Sequence, residues 1–276
     1  MRTPLIIHII SFLLSFVITI AIQNMVLGMI TRAEFVRPNF KQNLIPVGSG
    51  ILFPTTLAVA YIPLFLLWPQ HLLEKAFIFI FVVTFAALLG ILDDFWGSKE
   101  TSGLKGHLGA LFKGRLTTGG FKAVWGGILA LLVAVVSGEL IMIPVNALLL
   151  ALSINAINLL DLRPGRAGKA FILGVVLLAA AGIGRQETVF LAVLTGSFLA
   201  FFPLDLKAKT MMGDAGSNAL GGALGIMSVW LLSMEAKFGV LLFLVTFHLI
   251  TEKVSLTKII EKNRFLNFLD TLGRER

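Results

Sequence analysis

One stretch of the chain joins a single carboxylate to a run of small residues: Met212-Gly213-Asp214-Ala215-Gly216-Ser217-Asn218-Ala219-Leu220-Gly221-Gly222. It opens an apolar segment that continues to Leu232, and the glycines beside Asp214 would let its carboxylate approach a metal ion or a phosphate closely. Asp214 is therefore a candidate site residue. The alternative is that Asp214 caps the helix that follows, because aspartate is a preferred residue at helix N-termini.

The composition indicates a membrane protein. Of the 276 residues, 57% are hydrophobic and 14% are charged, whereas about a quarter of the residues in a soluble domain are charged. The mean hydropathy is +0.93. The chain has no cysteine, which excludes a disulfide framework, a thiolate metal site and a thiol nucleophile. The net charge of +8 follows from membrane orientation, so nucleic acid is not an expected partner.

Long apolar runs predict an all-α, polytopic integral membrane protein with about nine transmembrane helices. Residues 1–276 are expected to form a single domain, and the first run is expected to be a retained helix because no small-residue cleavage site follows it. Two glycine pairs, Gly126-Gly127 and Gly221-Gly222, predict close contacts between helices. The predicted spans are Leu5–Gln23, Ile51–Trp68, Ala76–Leu92, Ala123–Val136, Leu140–Ile157, Ala170–Ile183, Thr188–Phe202, Ala219–Leu232 and Phe238–Ile250.

The basic residues predict which side of the membrane each loop faces. All lysines and arginines except Arg2, Lys75, Arg185 and Lys237 lie in segments that follow the odd-numbered spans. By the positive-inside rule these segments are cytoplasmic. The N-terminus is then expected outside and the C-terminus in the cytoplasm.

Every aspartate falls on this predicted cytoplasmic face, and Asp93 and Asp94 follow the third span without a spacer. Cytoplasmic loops carry polar residues in any membrane protein, which accounts for part of the pattern. Two adjacent carboxylates at the edge of the hydrocarbon nevertheless repel each other unless a cation neutralises them. Oxygen ligands, without cysteine or a histidine cluster, favour Mg²⁺ bound together with substrate phosphates. Lysines and arginines of the same loops would neutralise phosphate oxygens.

The predicted cytoplasmic segments contain an ordered series of motifs: Arg37-Pro38-Asn39 with Pro46-x-Gly48-x-Gly50, Asp93-Asp94 with Gly103-Leu104-Lys105-x-x-Leu108-Gly109, Thr118-Gly119-Gly120-x-Lys122, Asn155-x-x-Asn158-x-x-Asp161 and Met212-Gly213-Asp214-x-Gly216-Ser217. This series resembles the signatures of the polyprenyl-phosphate N-acetylhexosamine-1-phosphate transferases (glycosyltransferase family 4). That superfamily includes phospho-N-acetylmuramoyl-pentapeptide transferase, and the chain resembles a divergent member of it.

The resemblance implies a Mg²⁺-dependent transferase in the bacterial cytoplasmic membrane, with its active site facing the cytoplasm. Members of the family move a sugar 1-phosphate from a UDP-linked amino sugar onto polyprenyl phosphate, such as undecaprenyl phosphate. The products are UMP and a lipid-linked sugar diphosphate for cell-envelope glycan synthesis. The expected partners are these two substrates and membrane lipids, and a homodimer stays open.

The resemblance also implies roles for individual residues. Asp214, together with Asp93, would bind the metal, and Asp93, Asp94 and Asp161 would be catalytic. Asp93 and Asp94 would hold or activate the lipid phosphate with Lys105 nearby, and Asp161 would order the nucleotide-sugar donor. The remaining residues expected to bind substrate are Pro38, Asn39, Gly48, Lys122, Asn155, Asn158, Arg163 and Arg166.

The chain departs from the family pattern in the third motif. The family continues this motif as Asp-Gly-x-Asp-Gly-Leu, whereas this chain reads Asp161-Leu162-Arg163-Pro164-Gly165-Arg166. The second aspartate is replaced by Pro164, and two arginines have been added. The arginines predict a loop that binds phosphate directly. The alternative is that they only anchor the next span on the cytoplasmic side.

A second departure lies at the C-terminus, where the family has a histidine-rich loop and this chain has no histidine after His248. Leu256, Ile259, Ile260, Phe265 and further apolar residues recur instead at helical spacing among lysines. This pattern predicts an amphipathic helix within the cytoplasmic tail, residues 252–276, that lies on the inner leaflet. Arg264 and Arg274 could also replace the missing histidines as phosphate contacts.

Three functions are consistent with these patterns. The first is an active sugar-1-phosphate transferase with a variant donor loop. The second is a catalytically silent relative that binds polyprenyl phosphate or a lipid-linked intermediate as an assembly or regulatory partner. The third is a transporter, which only the number of spans favours. A transporter should place charged groups near the membrane midplane or show repeated halves with broken helices, and the sequence shows neither. The retained aspartates favour the transferase.

Overall fold

The computed structural model describes residues 5–97, 109–110, 114, 117–137 and 140–274. Within these residues the chain forms nine long helices that correspond one to one to the predicted apolar runs. They are α1 (Leu5–Arg32), α2 (Leu52–Leu67), α3 (Leu73–Trp96), α4 (Thr118–Ser137), α5 (Ile143–Leu160), α6 (Arg166–Ala181), α7 (Thr188–Leu206), α8 (Gly213–Leu231) and α9 (Met234–Lys253).

Two shorter helices follow, α10 (Leu256–Lys262) and α11 (Arg264–Thr271). The connection between α1 and α2 contains a two-stranded antiparallel sheet of β1 (Val36–Pro38) and β2 (Leu44–Pro46). In its register Val36 pairs with Pro46 and Pro38 with Leu44. The predicted all-α class is confirmed, and this short hairpin is an addition that the prediction did not include.

Seven of these helices are long and apolar enough to cross a membrane, as expected for a multi-pass membrane protein. For three of them the apolar segment includes the single helical turn that precedes the helix. Helix α6, which has 16 residues, and α8 are not among the seven. The prediction of nine spans and the side on which each terminus lies stay predictions. The seven segments are Leu5–Arg32, Ser49–Leu67, Gln70–Trp96, Thr118–Ser137, Leu140–Leu160, Thr188–Leu206 and Met234–Lys253.

Helix α8 lies at the centre of the bundle, because every residue from Ala215 to Leu231 is buried. It packs mainly against α3 and α5. A Cβ added at Gly221 would lie only 2.6 Å from the main chain of α5 at Ile154, so the close approach needs glycine. The predicted contact at Gly221 is confirmed. The predicted contact at Gly126 and Gly127 is wrong, because both face open space.

Helix α1 packs along α7, and buried hydroxyl groups join these two helices to α2. Thr19 is within 2.8 Å of both Thr56 of α2 and Ser197 of α7. At Gly196 of α7 an added Cβ would lie 2.2 Å from the carbonyl oxygen of Phe12. Buried hydroxyl groups that bond to one another satisfy their polar atoms inside an apolar bundle.

Main-chain hydrogen bonds join the segment before α2 to the segment before α8. The amide of Met211 donates to the carbonyl of Pro46 at 2.8 Å, and the amide of Gly50 donates to the carbonyl of Met212 at 3.0 Å. The hydroxyl of Ser49 also donates to the carbonyl of Met211 at 2.7 Å. These bonds place the segment containing Gly48 beside the start of α8 and its Asp214.

Candidate active site

Asp94, near the C-terminal end of α3, caps the N-terminus of α8. Its Oδ1 accepts a hydrogen bond from the amide of Asp214 and its Oδ2 one from the amide of Ala215, each at 3.1 Å. An anionic group at this position satisfies amides that have no partner within the helix and interacts favourably with the helix dipole. The alternative that Asp214 itself caps α8 is wrong, because Asp214 lies in the first turn and Asp94 of another helix supplies the cap.

Because Asp94 occupies the cap, the carboxylate of Asp214 points elsewhere, toward Lys122 of α4. The Lys122 Nζ is in direct contact with Asp214 Oδ2 and lies 3.4 Å from Asp93 Oδ2. All three side chains are partly exposed, at 19% for Lys122, 25% for Asp93 and 30% for Asp214. The site is therefore open to a ligand, and its charged groups come from three different helices, α3, α4 and α8.

Glycines form the wall of this site next to Asp94. Gly48 and Gly213 have φ angles of 73° and 71°, a left-handed backbone conformation that residues other than glycine rarely adopt. A Cβ at Gly213 would lie 2.6 Å from Asp94 Oδ2, and one at Gly50 would lie 2.0 Å from the Cα of Gly216. Gly48, which the motif series marks for substrate binding, thus lies against the carboxylate that caps α8.

The last turn of α5 contacts the second turn of α8 through Asn158. Its Nδ2 lies 3.2 Å from Ser217 Oγ and 3.3 Å from Asn218 Oδ1. Asn155, one turn earlier, is exposed. The structure thus brings Asn158 to the segment that carries Asp214, whereas Asn155 remains at the surface.

Asp161 follows α5 immediately and lies within electrostatic range of other acids. Desolvation raises the pKa of its carboxyl group well above the ordinary value, and the charges of Asp205, Asp214 and Asp94 raise it further. Loss of a proton there would add a negative charge to a region that already holds several. Asp161 therefore stays protonated at a higher pH than an ordinary aspartate.

Arg163 and Arg166, both predicted to bind phosphate, have different surroundings. Arg163 is exposed. Arg166 is buried, and its Nε and Nη2 donate to the two carboxylate oxygens of Asp270 in α11 at 2.7 and 3.1 Å. Burial alone would raise the pKa of Asp270, but hydrogen bonds and charge from Arg166 and Arg274 hold it below its ordinary value. Arg166 is thus already neutralised by the C-terminal tail.

The first motif of the series, between α1 and α2, has a local structural role. Pro38 ends β1, and the Oδ1 of Asn39 accepts hydrogen bonds from the amides of Lys41 and Asn43 at 2.8 and 3.0 Å. The Nδ2 of Asn39 donates to the carbonyl of Ala208 at 3.3 Å. These bonds shape the turn of the hairpin and tie it to the segment before α8. Lys105 lies outside the described residues.

Sequence reasoning missed the partners of the divergent third motif. Asp205 of α7, which is buried, accepts a hydrogen bond from the amide of Gly165 at 2.8 Å. Arg274 donates from its Nε to the carbonyl of Pro164 at 3.1 Å. The spacing of Asp270 and Arg274, four residues apart, was an available signal of the ion pair between these two residues.

An apolar cleft of about 240 Å³ opens between α3 and the start of α4. The cleft lies next to the charged residues, because Asp93 directly follows Leu92 of α3 and Lys122 directly follows Phe121 of α4. An apolar chain in this cleft would thus end beside the charged groups of the site. The lining residues are Leu89, Leu92, Trp96, Thr117, Thr118 and Phe121.

The carboxylates of the site are suitable ligands for a hard divalent cation, but the ammonium group of Lys122 lies between them. Within the described parts of the chain, no three Asp, Glu, His or Cys side chains are close enough together to hold a metal ion. Asp93 and Asp214 nevertheless direct their carboxylates at the same ammonium group. Mg²⁺ needs only one or two protein carboxylates when substrate phosphates and water complete its coordination. Asp93 and Asp214 meet this requirement once the ammonium of Lys122 moves aside.

The family model described as glycosyl transferase family 4 matches residues 76–232, which is more than half of the chain. The chain belongs to glycosyl transferase family 4. The matched region extends through most of α3 to the end of α8, and thus contains Asp93, Asp94, Lys122 and Asp214. The family predicted from the ordered motifs is confirmed, while the C-terminal tail with Asp270 lies beyond the match.

This glycosyl transferase family 4 chain is similar to several proteins named phospho-N-acetylmuramoyl-pentapeptide-transferase. It is 28% identical over 219 residues to that of Wolbachia sp. subsp. Drosophila simulans (strain wRi). The identity is 26% over 250 residues for Acetivibrio thermocellus and 29% over 246 residues for Latilactobacillus sakei subsp. sakei. These alignments cover 73%, 80% and 83% of the family 4 chain and 64%, 72% and 74% of the relatives. The chain therefore spans less than two thirds of the Wolbachia protein.

Proposed function

We propose that this protein transfers a sugar 1-phosphate from a UDP-linked amino sugar to polyprenyl phosphate, releasing UMP. The observation that supports the proposal most strongly is the meeting of Asp93, Asp214 and Lys122, two of which directly follow residues of an apolar cleft in the sequence. Acidic groups that can bind Mg²⁺, a lysine and an apolar surface are the parts needed to join a lipid phosphate to a nucleotide sugar.

The reaction exchanges one phosphorus–oxygen bond for another. An oxygen of the lipid phosphate attacks the β-phosphorus of the nucleotide sugar and forms a new P–O–P linkage. The bond from the β-phosphorus to the oxygen bridging the two phosphates breaks, and UMP leaves with that oxygen and the bonding electron pair. A phosphate monoester is already largely ionised at neutral pH, so the site has to position and neutralise charge rather than remove a proton.

Lys122 would neutralise non-bridging phosphate oxygens, since it is a flexible cation beside both Asp93 and Asp214. Bound Mg²⁺, held by Asp214 and Asp93, would supply electrostatic stabilisation of the diphosphate and of the departing UMP. Asp94 keeps the first turn of α8 in place through its two amide contacts. Asp161, which directly follows α5, would help to order the nucleotide-sugar donor.

The apolar part of the acceptor would lie in the cleft lined by Leu89, Leu92 and Trp96. Trp96 is exposed while Leu89 is buried, so the cleft extends from the protein surface into the bundle. A prenyl chain bound there removes apolar surface from water and brings its phosphate to Asp93 and Lys122.

The first test is UMP release by the purified protein in detergent with undecaprenyl phosphate, Mg²⁺ and a panel of UDP-amino sugars. We expect release with at least one donor, and none when the lipid is omitted or when EDTA removes the metal. Asp214→Asn serves as the inactive control, and Glu235→Gln as a matched loss of an exposed carboxylate. Release that is independent of lipid and Asp214 would contradict the proposal.

A second candidate function is that of a silent relative that binds polyprenyl phosphate without turnover. Pro164 in place of the motif's second aspartate, together with the contact of Lys122 with Asp214, supports this alternative. It predicts no UMP release from any donor, while radiolabelled undecaprenyl phosphate still binds. Binding that is lost in Leu92→Trp would locate the lipid in the cleft even if no sugar is transferred.

A further inference from the structure

The two arginines of the divergent turn have opposite electrostatic environments. Arg166 and Asp270 form a buried ion pair, with side chains 5% and 7% exposed, and Arg274 Nη2 lies 3.1 Å from the same carboxylate. Arg163 is exposed and, within the part of the chain that the structure describes, forms no ion pair. A buried pair that shares two hydrogen bonds holds its geometry, whereas an exposed guanidinium is available to an anion.

The C-terminal tail holds the turn at several further points. Arg166 Nη1 donates to Thr257 Oγ1 of α10 at 3.1 Å. Lys169 Nζ donates to the carbonyls of Leu269 and Asp270, at 2.8 and 2.7 Å, near the end of α11. Both short helices of the tail are therefore attached to the start of α6, directly after the turn.

The turn itself is held from two sides. Arg274 of the tail donates a hydrogen bond to the carbonyl of Pro164, and Asp205 of α7 accepts one from the amide of Gly165. Gly165 has a φ of 74°, and a Cβ there would lie 2.4 Å from Leu206 Cδ2. The main chain next to Arg163 is therefore fixed by the protein around it, not by the sequence of the turn alone.

The opposite face of α11 is apolar and exposed, as predicted for a helix on the membrane surface. The apolar residues of this face are three and four positions apart, so they form one stripe on the side of the helix opposite Asp270. The tail also carries basic residues, Lys258, Lys262 and Arg264, that suit an anionic lipid surface. The apolar stripe consists of Phe265, Phe268, Leu269 and Leu272.

We propose that Arg163 binds the diphosphate of a nucleotide and that Asp270 is its positioning residue, acting through Arg166 and the Pro164–Gly165 turn. This inference rests on the proposed function for the identity of the nucleotide. The tail thus fixes the main chain of the turn that follows Asp161 through its contacts with Pro164, Arg166 and Lys169. Of the two arginines predicted to bind phosphate, Arg163 is assigned to the ligand and Arg166 to the scaffold.

The test is a double-mutant cycle on UDP binding by the full-length protein in nanodiscs with anionic lipid, measured by titration calorimetry. Arg163→Gln is expected to weaken binding about tenfold, the effect of losing a charged hydrogen bond. Asp270→Asn is expected to weaken it severalfold in the wild-type background and not further in the Arg163→Gln background. Asp270→Glu should restore part of the loss, and Glu261→Gln, an exposed acid of the same tail, should bind UDP as the wild type does.

Additive effects of Arg163→Gln and Asp270→Asn would overturn the inference, and so would unchanged binding in either variant. Hydrogen exchange of residues 161–168 gives an independent measurement, because Asp270→Asn should raise their exchange rate and Glu261→Gln should not. UDP binding does not require turnover. If UMP is not released but the effects of Arg163→Gln and Asp270→Asn remain coupled, the transferase proposal is refuted and the assignment of Arg163 stands. If UMP is released but the two effects are not coupled, the transferase proposal stands and the assignment of Arg163 is refuted.

Discussion

Two charged clusters lie at opposite ends of the helical bundle and differ in their balance of charge. On the predicted outer face, Glu187 is surrounded by cations: Lys75 Nζ lies 2.6 Å and Arg185 Nη2 3.4 Å from its carboxylate. Arg185 also donates to the carbonyl of Trp230 at 3.0 Å, and Lys75 lies 5.8 Å from the Trp230 ring centre. On the predicted cytoplasmic face, the described residues place Asp93, Asp94 and Asp214 around Lys122 alone.

The difference separates a structural cluster from a candidate functional one. One acid with two bases is neutralised inside the protein, and its groups are held by further contacts. Among the residues that the structure describes, the other cluster has more acids than bases, a balance that a divalent cation with bound phosphates would suit. Charge balance, rather than the number of charged residues, thus distinguishes the two ends of the molecule.

The largest effect is expected where the excess negative charge is reduced. Asp214→Asn should lower the rate of UMP release roughly 1,000-fold, the upper range for losing one preorganised electrostatic group. Its thermal unfolding temperature should stay close to that of the wild type, because Asp214 is partly exposed. A variant that unfolds early and keeps its specific activity would place Asp214 with the structural cluster instead.

Removing the single lysine should give a smaller loss and change metal binding in the opposite direction. Lys122→Gln should lower turnover about 100-fold, because phosphate charge is no longer neutralised. Since its ammonium competes for Asp93 and Asp214, the same variant should bind Mn²⁺ more tightly in electron paramagnetic resonance titrations. Weaker Mn²⁺ binding would show that the lysine is not in competition with the metal.

Filling the apolar cleft should affect one substrate only. Leu92→Trp is expected to raise the KM for undecaprenyl phosphate about tenfold, the effect of overpacking a fitted apolar surface, and to leave the KM for the UDP-sugar unchanged. Leu88→Trp is the matched control, because Leu88 is exposed on the same helix. Equal effects of the two substitutions would place the lipid chain elsewhere.

The outer cluster should influence stability without influencing turnover. Glu187→Gln is expected to lower the free energy of unfolding by about 1–2 kcal/mol, less than the roughly 3–5 kcal/mol of a fully buried pair, because Lys75 is partly exposed. Burial alone would raise the pKa of Glu187, but hydrogen bonds from Lys75 and Arg185 lower it from 4.5 to about 2. The carboxylate therefore stabilises the fold above pH 4.5, and this contribution is lost as the pH falls toward 2.

Thermal unfolding followed between pH 6 and pH 2.5 checks this prediction. The wild type should lose its advantage over Glu187→Gln as the pH falls through this range, and the rate of UMP release at pH 7 should be equal in the two proteins. A stability difference that is independent of pH, or a loss of turnover, would remove the contrast between the two clusters.

Much of the fold could be predicted from the sequence because apolar periodicity and charge bias act locally. The nine apolar runs identified the nine helices, although α1 continues to Arg32 and α3 continues through Asp93 and Asp94 to Trp96. Charged residues within a helix end do not interrupt its main-chain hydrogen bonds, so hydropathy alone ends such helices too early. The hairpin was missed because its strands have three residues each, too few for an alternating pattern.

The site could be predicted in part for the same reason. Motifs that are distant in the sequence but predicted to face the same side of the membrane indicated that Asp93, Asp94 and Asp214 would meet, and the structure brings them together. Contacts between distant segments carry no local signal, so the pairing of Arg166 with Asp270 was not foreseen. Identical glycine pairs at 126–127 and 221–222 had different outcomes, since only the second pair faces another helix.

The glycine contacts beside the site have a consequence for protein engineering. Where Gly50 meets Gly216 and where Gly90 meets the carbonyl of Asp214, buried main-chain atoms of two segments are in contact, and an added Cβ would lie 2.0 and 2.2 Å from its neighbour. A side chain at Gly50 or Gly90 would therefore displace the start of α8, and Asp214 with it, from the neighbouring segment. A library of site variants built on this chain should keep both glycines fixed and vary the charged side chains instead.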